Sequence, residues 1–281
     1  MHMFNINKRG LTFTIITTLL TILILGILLL RNNVKVPCDN LQIKNGPNLS
    51  YKTIGIANHG EHVQILSHKD NWVRVVYNQN KIGWIPEWLL NNHNLKRANN
   101  LSEATIVLDP GHGGSDSGAL SNNNKQEKAY TLKVAQKTAN RLRNSGANVV
   151  MVRNSDKTVS LFKRPSFSTD NHANLFVSFH FDSSNDKNTA SGFTSYYYHN
   201  GKSQKLATEI NHNLNNLPLD NRGIMKGDFL VIRDVSVPSV LLEMGYINDD
   251  DDFKLIKNPN YQQRVSSDVT KGINQYINKN Y

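Results

Sequence analysis

Hydrophobic and polar positions fall into three successive regimes along the 281 residues. From Leu11 to Leu30 the chain is dominated by Leu, Ile and Thr with no charged side chain, close to the roughly 20 residues that a helix needs to cross the hydrocarbon layer. From Leu41 to Asn91 short alternating runs, Leu41-Gln-Ile43, His62-Val-Gln-Ile-Leu66 and Trp72-Val-Arg-Val-Val-Tyr77, are separated by the turn formers Asn45-Gly-Pro-Asn48, His59-Gly60, Lys69-Asp-Asn71 and Asn78-Gln-Asn80. Alternation with period two and frequent turns predict a small all-β barrel. Residues 92–102 are polar and Asn-rich and read as a linker.

Beyond Glu103 the pattern changes again. Apolar strand-like runs at Ile106–Leu108, Asn148–Val152, Leu175–His180, Gly192–Tyr198, Phe229–Ile232 and Ser239–Leu242 alternate with helical periodicity. Ala129, Leu132, Ala135, Ala139 and Leu142 predict a helix over Glu127–Asn144 that stops at Gly146, and a second helix is expected over Ser203–Leu214. Tyr261, Val265, Val269, Ile273 and Ile277 form one face of a closing helix. Such alternation predicts an α/β domain over residues 103–281, a twisted, mostly parallel sheet flanked by helices.

The N-terminal run has two readings, a cleaved signal or a retained span. A signal h-region is usually about 7 to 15 residues, and Arg31-Asn-Asn-Val-Lys-Val-Pro-Cys38 offers no small-x-small cleavage site. The expectation is therefore a single-pass anchor over residues 11–30, with residues 1–10 as a cytoplasmic tail and the rest extracellular. Lys8 and Arg9 before the span nearly balance Arg31 and Lys35 after it, so the orientation rests on the short tail and long downstream region. Cys38 is the single cysteine, which excludes an intrachain disulfide, and Pro37 before it argues against a lipid-attachment box. The net charge of +10 and pI near 9.6 suit polyanionic neighbours, but no dense Lys/Arg run marks a nucleic-acid site.

Candidate chemistry sits at strand ends. The first strand of the α/β region runs into Asp109-Pro-Gly-His-Gly-Gly-Ser-Asp-Ser-Gly-Ala119, a loop whose small residues leave His112 uncovered. His180 and Glu243 each close another apolar run, and ligands of open α/β sheets bind beyond the carboxyl ends of strands. Two imidazoles and a carboxylate with a fourth position for water form a hydrolytic zinc site, in which a second, unligated carboxylate must take the water's proton. Glu127 and Glu243 are the two candidates, and spacing does not assign their roles. Asp109 either orients His112 or only shapes the turn; Asp182 is either an acceptor for an imidazole N–H or a loop residue. The run Asp249–Asp252 reads as a solvated loop capping the last helix rather than a calcium site.

Five ordered motifs, Asp109–Ala119, Glu127-Lys128, Val177-Ser-Phe-His180, Asn221-Arg-Gly-Ile224 and Val240-Leu-Leu-Glu-Met-Gly-Tyr246, resemble the zinc-dependent N-acetylmuramoyl-L-alanine amidases over about Ala104–Tyr281. The resemblance implies that His112, Glu127 and His180 hold Zn2+, that Glu243 is the catalytic carboxylate, and that the substrate is peptidoglycan, cut between the lactyl group of muramic acid and L-alanine. Arg222 lies in the family's Asn-Arg-Gly element, as a substrate contact or a structural ion pair. Ser178-Phe-His-Phe-Asp182 departs from the family's Ser-Ile-His-Ala-Asn, which alters the rim of the site. Leu41–Asn48, Asn71–Val75, Gly83-Trp-Ile85 and Trp88-Leu89 resemble the bacterial SH3-like wall modules, so residues 41–91 are either a wall-recognition device or a spacer.

The resemblance leaves two other readings: a zinc peptidase cutting within the stem peptide, and a non-catalytic wall-binding regulator. The second would be expected to have lost a ligand or the catalytic Glu, and this chain retains both. For a Gram-positive wall the basic charge also suits teichoic acids. Whether a membrane-protein activator is needed is open from sequence.

Overall fold

The computed structural model describes residues 8–281, so most of the expected tail over residues 1–10 lies outside the described residues. Helix α1 (Lys8–Arg31) contains the window Gly10–Ile27, with a mean hydropathy of 2.2 and no burial against the rest of the protein. Its threonines do not break the apolar surface: Thr14, Thr17, Thr18 and Thr21 donate their hydroxyls to backbone carbonyls three or four residues earlier. Internal satisfaction of that kind is what an apolar solvent requires.

Only Asn32 separates α1 from the first sheet, formed by β1 (Asn33–Lys35), β2 (Leu41–Lys44), β3 (Thr53–Ala57), β4 (His62–Lys69), β5 (Trp72–Tyr77) and β6 (Lys81–Pro86). The order is β1-β4-β5-β6-β2-β3, and every pairing is antiparallel. Val63, Val73, Val75 and Ile85 point inward beside Leu41, Ile43 and Cys38, whose thiol is therefore part of a core. The sheet takes in β1, upstream of residues 41–91, because Val34 pairs with Val63. Trp72 is buried and meets Trp88 of the short helix α2 (Glu87–Leu90) edge to face.

The Asn-rich segment after α2 packs as a joint. Asn99 and Ser102 exchange backbone and side-chain hydrogen bonds, Ala98 N–H donates to Asp39 O, and the Trp88 indole N–H is shared by Ser102 O and Gly146 O at 3.0 Å each. Leu49 from the β2–β3 connection inserts into the core of the following domain. Polar composition indicated a linker, but Asn and Ser side chains also satisfy backbone in tight, ordered turns.

The second sheet uses β7 (Thr105–Pro110), β8 (Asn148–Met151), β9 (Leu175–Asp182), β10 (Phe193–Tyr197), β11 (Asn221–Lys226) and β12 (Ser239–Tyr246), in the order β11-β10-β12-β9-β7-β8. The six strands interleave with helices as the α/β pattern requires, and only the β10–β12 pairing is antiparallel. Side-chain alternation decides the layers. Ile106, Leu108, Val177, Phe179, Val240 and Leu242 face α3 (Glu127–Asn144), α5 (Lys202–Leu214) and α8 (Pro259–Asn280). Val107, Phe176 and Leu241 face the other side, under α4 (Ser166–Asp170) and α6 (Leu230–Arg233).

Two sequence expectations are corrected. Phe229–Ile232 is not a strand: Leu230–Arg233 is one helical turn, with Val231 and Ile232 buried on the sheet. An apolar run of four residues carries no period that separates strand from helix. The acidic run caps α7 (Asp250–Ile256), not the last helix, with Asp249 accepting from Asp251 and Asp252 N–H. Asp252 turns inward and accepts from Gly192 and Tyr246 N–H.

Candidate metal centre

The ends of β7, β9 and β12 meet beside the start of α3. Glu243 lies opposite His180 in the β12–β9 register, so the two side chains share a row at one sheet edge. After β7 the chain turns through His112, whose φ of 61° is left-handed. A non-glycine residue there needs support. Gly111 has to lack a side chain, since a Cβ would stand 2.2 Å from the His180 ring. Gly118, at φ 65°, would likewise bring a Cβ 2.6 Å from Glu127 Oε2.

Glu127 is buried at the first turn of α3 and stands between the two imidazoles. Its Oε2 lies 3.0 Å from His112 Nε2, and its Oε1 lies 3.1 Å from His180 Nδ1. Ala119 and Phe181 donate backbone N–H groups to the same carboxylate at 2.9 and 3.0 Å. The three ligand-type atoms lie within 4.8 Å of one another. His112 Nδ1 is 2.9 Å from Asp116 Oδ2, a contact that fixes the ring and turns Nε2 toward Glu127 and the cluster.

Electrostatics follow from this packing. Burial disfavours the Glu127 carboxylate, but hydrogen bonds and charge from His112 and His180 outweigh it and hold its pKa low. Burial also opposes a charged His112, yet Glu127 and Asp116 overcome it and raise its pKa. Glu243 behaves oppositely: burial first, then the negative charges of Glu127 and Asp182, push its pKa well above the usual carboxylate value. Its Oε2 is buried with no hydrogen-bond partner.

The other candidate residues find definite places. Asp109 does not contact His112; it is buried and accepts from Arg164 at 2.7 Å and from the Ser178 hydroxyl at 2.9 Å. Asp182 accepts from Ser183 N–H rather than from an imidazole. Arg222 lies apart from the cluster on β11, exposed, with its guanidinium 5.3 Å from the Tyr246 ring centroid and Nη1 donating to Ser191 O. Its contacts are thus a carbonyl and a ring. Two buried arginines, Arg153 and Arg164, support the His112 loop and went unnoticed in the sequence. Their one signal was a cation placed just after an apolar strand or beside a proline.

Two imidazole nitrogens and one carboxylate are a donor set for zinc, and an orphaned carboxylate oxygen beside them suits the unligated base such a site requires. A cavity of about 160 Å³ opens over the cluster, lined by His112, His180, Asp116, Leu161, Arg164 and Val231 among others.

Residues 106–275 match the N-acetylmuramoyl-L-alanine amidase family. The chain belongs to that family. Amidase relatives extend over most of its length: the "Probable cell wall amidase LytH" of Staphylococcus aureus is 36% identical over 247 residues, which cover 85% of this chain and 82% of that protein. The N-acetylmuramoyl-L-alanine amidase from Clostridium difficile 630 superposes with a TM-score of 0.62 at 30% identity, covering 63% of this chain and 98% of the other. The amidase catalytic domain of CwlV from Bacillus (Paenibacillus) polymyxa var. colistinus gives a TM-score of 0.60 at 31% identity, covering 62% and 98%. The CwlD amidase from Clostridioides difficile, solved in complex with the GerS lipoprotein, gives 0.59 at 27% identity, covering 63% and 99%. Residues 39–91 match the bacterial SH3 domain, so this amidase carries that module ahead of its catalytic domain.

Proposed function

We propose that this amidase is zinc-dependent and membrane-anchored, and that it hydrolyses the amide between the lactyl group of muramic acid and L-alanine in peptidoglycan outside the cell. The observation that carries the reading is the convergence of His112 Nε2, Glu127 and His180 Nδ1 within 4.8 Å, beside a carboxylate oxygen that has no partner. Those three residues would hold the ion. Bound zinc would polarise the scissile carbonyl and acidify the attacking water.

The protein's own groups supply the rest. Asp116 keeps the His112 proton on Nδ1 and the ring in one orientation. Glu243, whose pKa is raised by burial and by Glu127 and Asp182, takes a proton from water at Oε2 and passes it to the departing L-alanine nitrogen. Arg222, exposed on β11, would offer its guanidinium to a carboxylate of the stem peptide. Residues 11–30 serve as the anchor, residues 41–91 as a wall-recognition module, residues 92–102 as the joint and residues 103–281 as the catalyst. A membrane protein activator fits this arrangement, and a relative is known in complex with a lipoprotein. The net charge of +10 suits contact with wall teichoic acid.

Digestion of defined muropeptides tests the proposal. New amine termini on L-alanine and stem-free muramic acid are expected, with activity lost on chelation and restored by zinc. Cleavage inside the stem peptide, or full activity without metal, would overturn it.

A further inference from the structure

Residues 153–164 carry no candidate ligand, yet they grip both segments that begin the ligand set. Arg153, 1% exposed, follows β8. Its Nε donates to Pro110 O at 3.0 Å, and its Nη2 donates to Gly111 O and Lys128 O at 2.8 Å each and to Thr131 Oγ1 at 3.0 Å. Nη1 donates to Ser155 O at 3.1 Å. Pro110 and Gly111 lead into His112, whereas Lys128 and Thr131 lie on the turn of α3 that Glu127 opens. One buried guanidinium therefore ties the backbone of one ligand to the backbone of another. Thr131 reinforces the tie, its hydroxyl donating to Gly111 O at 2.9 Å.

A second bridge runs over the surface side. Lys128 Nζ donates to Gly114 O at 2.7 Å and to Asp156 Oδ2 at 2.8 Å, while Gly114 N–H donates to Asp156 Oδ1 at 2.7 Å. Arg164 completes the frame from the third side, with Nη2 donating to His112 O at 2.8 Å. The fit depends on Gly113 and Gly114, where a Cβ would stand 2.5 Å from Lys157 O and 2.1 Å from Thr158 Oγ1.

Charge does not explain this arrangement. Arg153 hydrogen-bonds only to carbonyls and a hydroxyl, burial and the neighbouring Arg164 disfavour its charged form more than Asp109, Asp156 and Asp116 favour it, and two cations behind a site for a dication repel that ion. Geometry does explain it. A guanidinium offers five donors in a rigid plane, enough to satisfy carbonyls of a non-helical loop that would otherwise be buried unpaired.

Resting on the zinc reading above, we infer that Arg153 is a positioning residue. Together with the Lys128–Asp156 bridge it sets the distance from His112 to Glu127, so that the ligands converge before the ion arrives. Full-length protein in detergent, stripped of metal, tests this with Arg153→Lys, Thr131→Val and Asp156→Ala. Three readouts apply: zinc affinity against a fluorescent chelator, the visible absorption of the cobalt(II) form, and the melting temperature of the metal-free protein.

Arg153→Lys keeps the charge but cannot span Pro110 to Lys128, so zinc affinity is expected to fall about 10- to 100-fold, with a changed cobalt spectrum. Thr131→Val and Asp156→Ala should shift both readouts in the same direction, by about 3- to 10-fold in affinity. Asp156 has 57% of its side chain exposed, so its variant should melt like the parent. If Arg153→Lys does not fold, the other two decide. Parent-like affinity and cobalt spectra in both, or losses that only track a lowered melting temperature, would overturn the inference. A parent protein that binds neither zinc nor cobalt would instead overturn the zinc reading, and the inference with it.

Discussion

Lys44 of the small sheet and Glu103 at the threshold of β7 form an ion pair buried between the two domains. Nζ and Oε2 are 3.9 Å apart, with 2% and 0% of the side chains exposed. Gln42 N–H donates to Glu103 Oε1 at 3.0 Å, while Oε2 has no hydrogen bond. Burial therefore dominates, and although Gln42 and Lys44 oppose it, the Glu103 pKa is pushed up from 4.5 to about 7.

That relationship predicts a pH dependence. The unfolded chain releases the Glu103 proton near 4.5, whereas the folded protein keeps it to about 7, so between those values the native state binds more protons. Stability should fall as pH rises through this window, by on the order of 3 kcal/mol from this residue. Glu103→Gln should flatten the slope, measured by urea unfolding at several pH values. An unchanged slope in the variant would assign the effect to other groups.

The candidate metal centre predicts a split between binding and chemistry. His112→Ala and His180→Ala should lose zinc and activity together. Glu243→Ala should keep about one zinc per chain, since three protein ligands remain, while turnover falls by roughly 10² to 10⁴. Glu127→Ala decides between the two carboxylates. Zinc retained without Glu127 but lost without Glu243, by elemental analysis, would exchange their roles.

The module's contacts predict that it does more than target. A tethered binding unit would affect intact walls far more than soluble muropeptides. Leu49, however, is 1% exposed within the catalytic domain's core, and Trp88 supplies the donor for Ser102 O and Gly146 O. Leu49→Ala should cost about 2 to 5 kcal/mol, and Trp88→Phe about 1 to 3 kcal/mol through the carbonyls left unpaired. Deleting residues 41–91 should accordingly reduce activity on both substrates. Loss confined to intact walls, with unchanged melting of the Leu49 variant, would restore the purely targeting role.

Retention of α1 predicts membrane fractionation. The mature protein should be extracted only by detergent and should keep its native N-terminus. A soluble form starting shortly after Leu30 would identify the segment as a cleaved signal.

Much of this protein is written locally. The period from Ala129 to Leu142 predicts the helix Glu127–Asn144 with the bounds observed, but the buried face runs through Thr131, Val134, Ala135, Thr138, Ala139 and Leu142, and Ala129 is exposed. Strands such as β7 and β9, buried on both faces, were legible as short apolar runs, and so was the grouping of His112, Glu127, His180 and Glu243 through the ends of such runs and the family's motifs. What sequence left open needed partners far along the chain. Whether Asp109 orients His112 or only shapes the turn depended on Arg164, 55 residues away, taking the Asp109 carboxylate. The roles of Arg153 and of the Asn-rich joint were invisible for a related reason. Most of their hydrogen bonds have a backbone group as donor or acceptor, which every residue carries, so no pattern of side chains announces them. Only the fold brings Pro110, Gly111 and Lys128 to one guanidinium, and Leu49 to another domain's core.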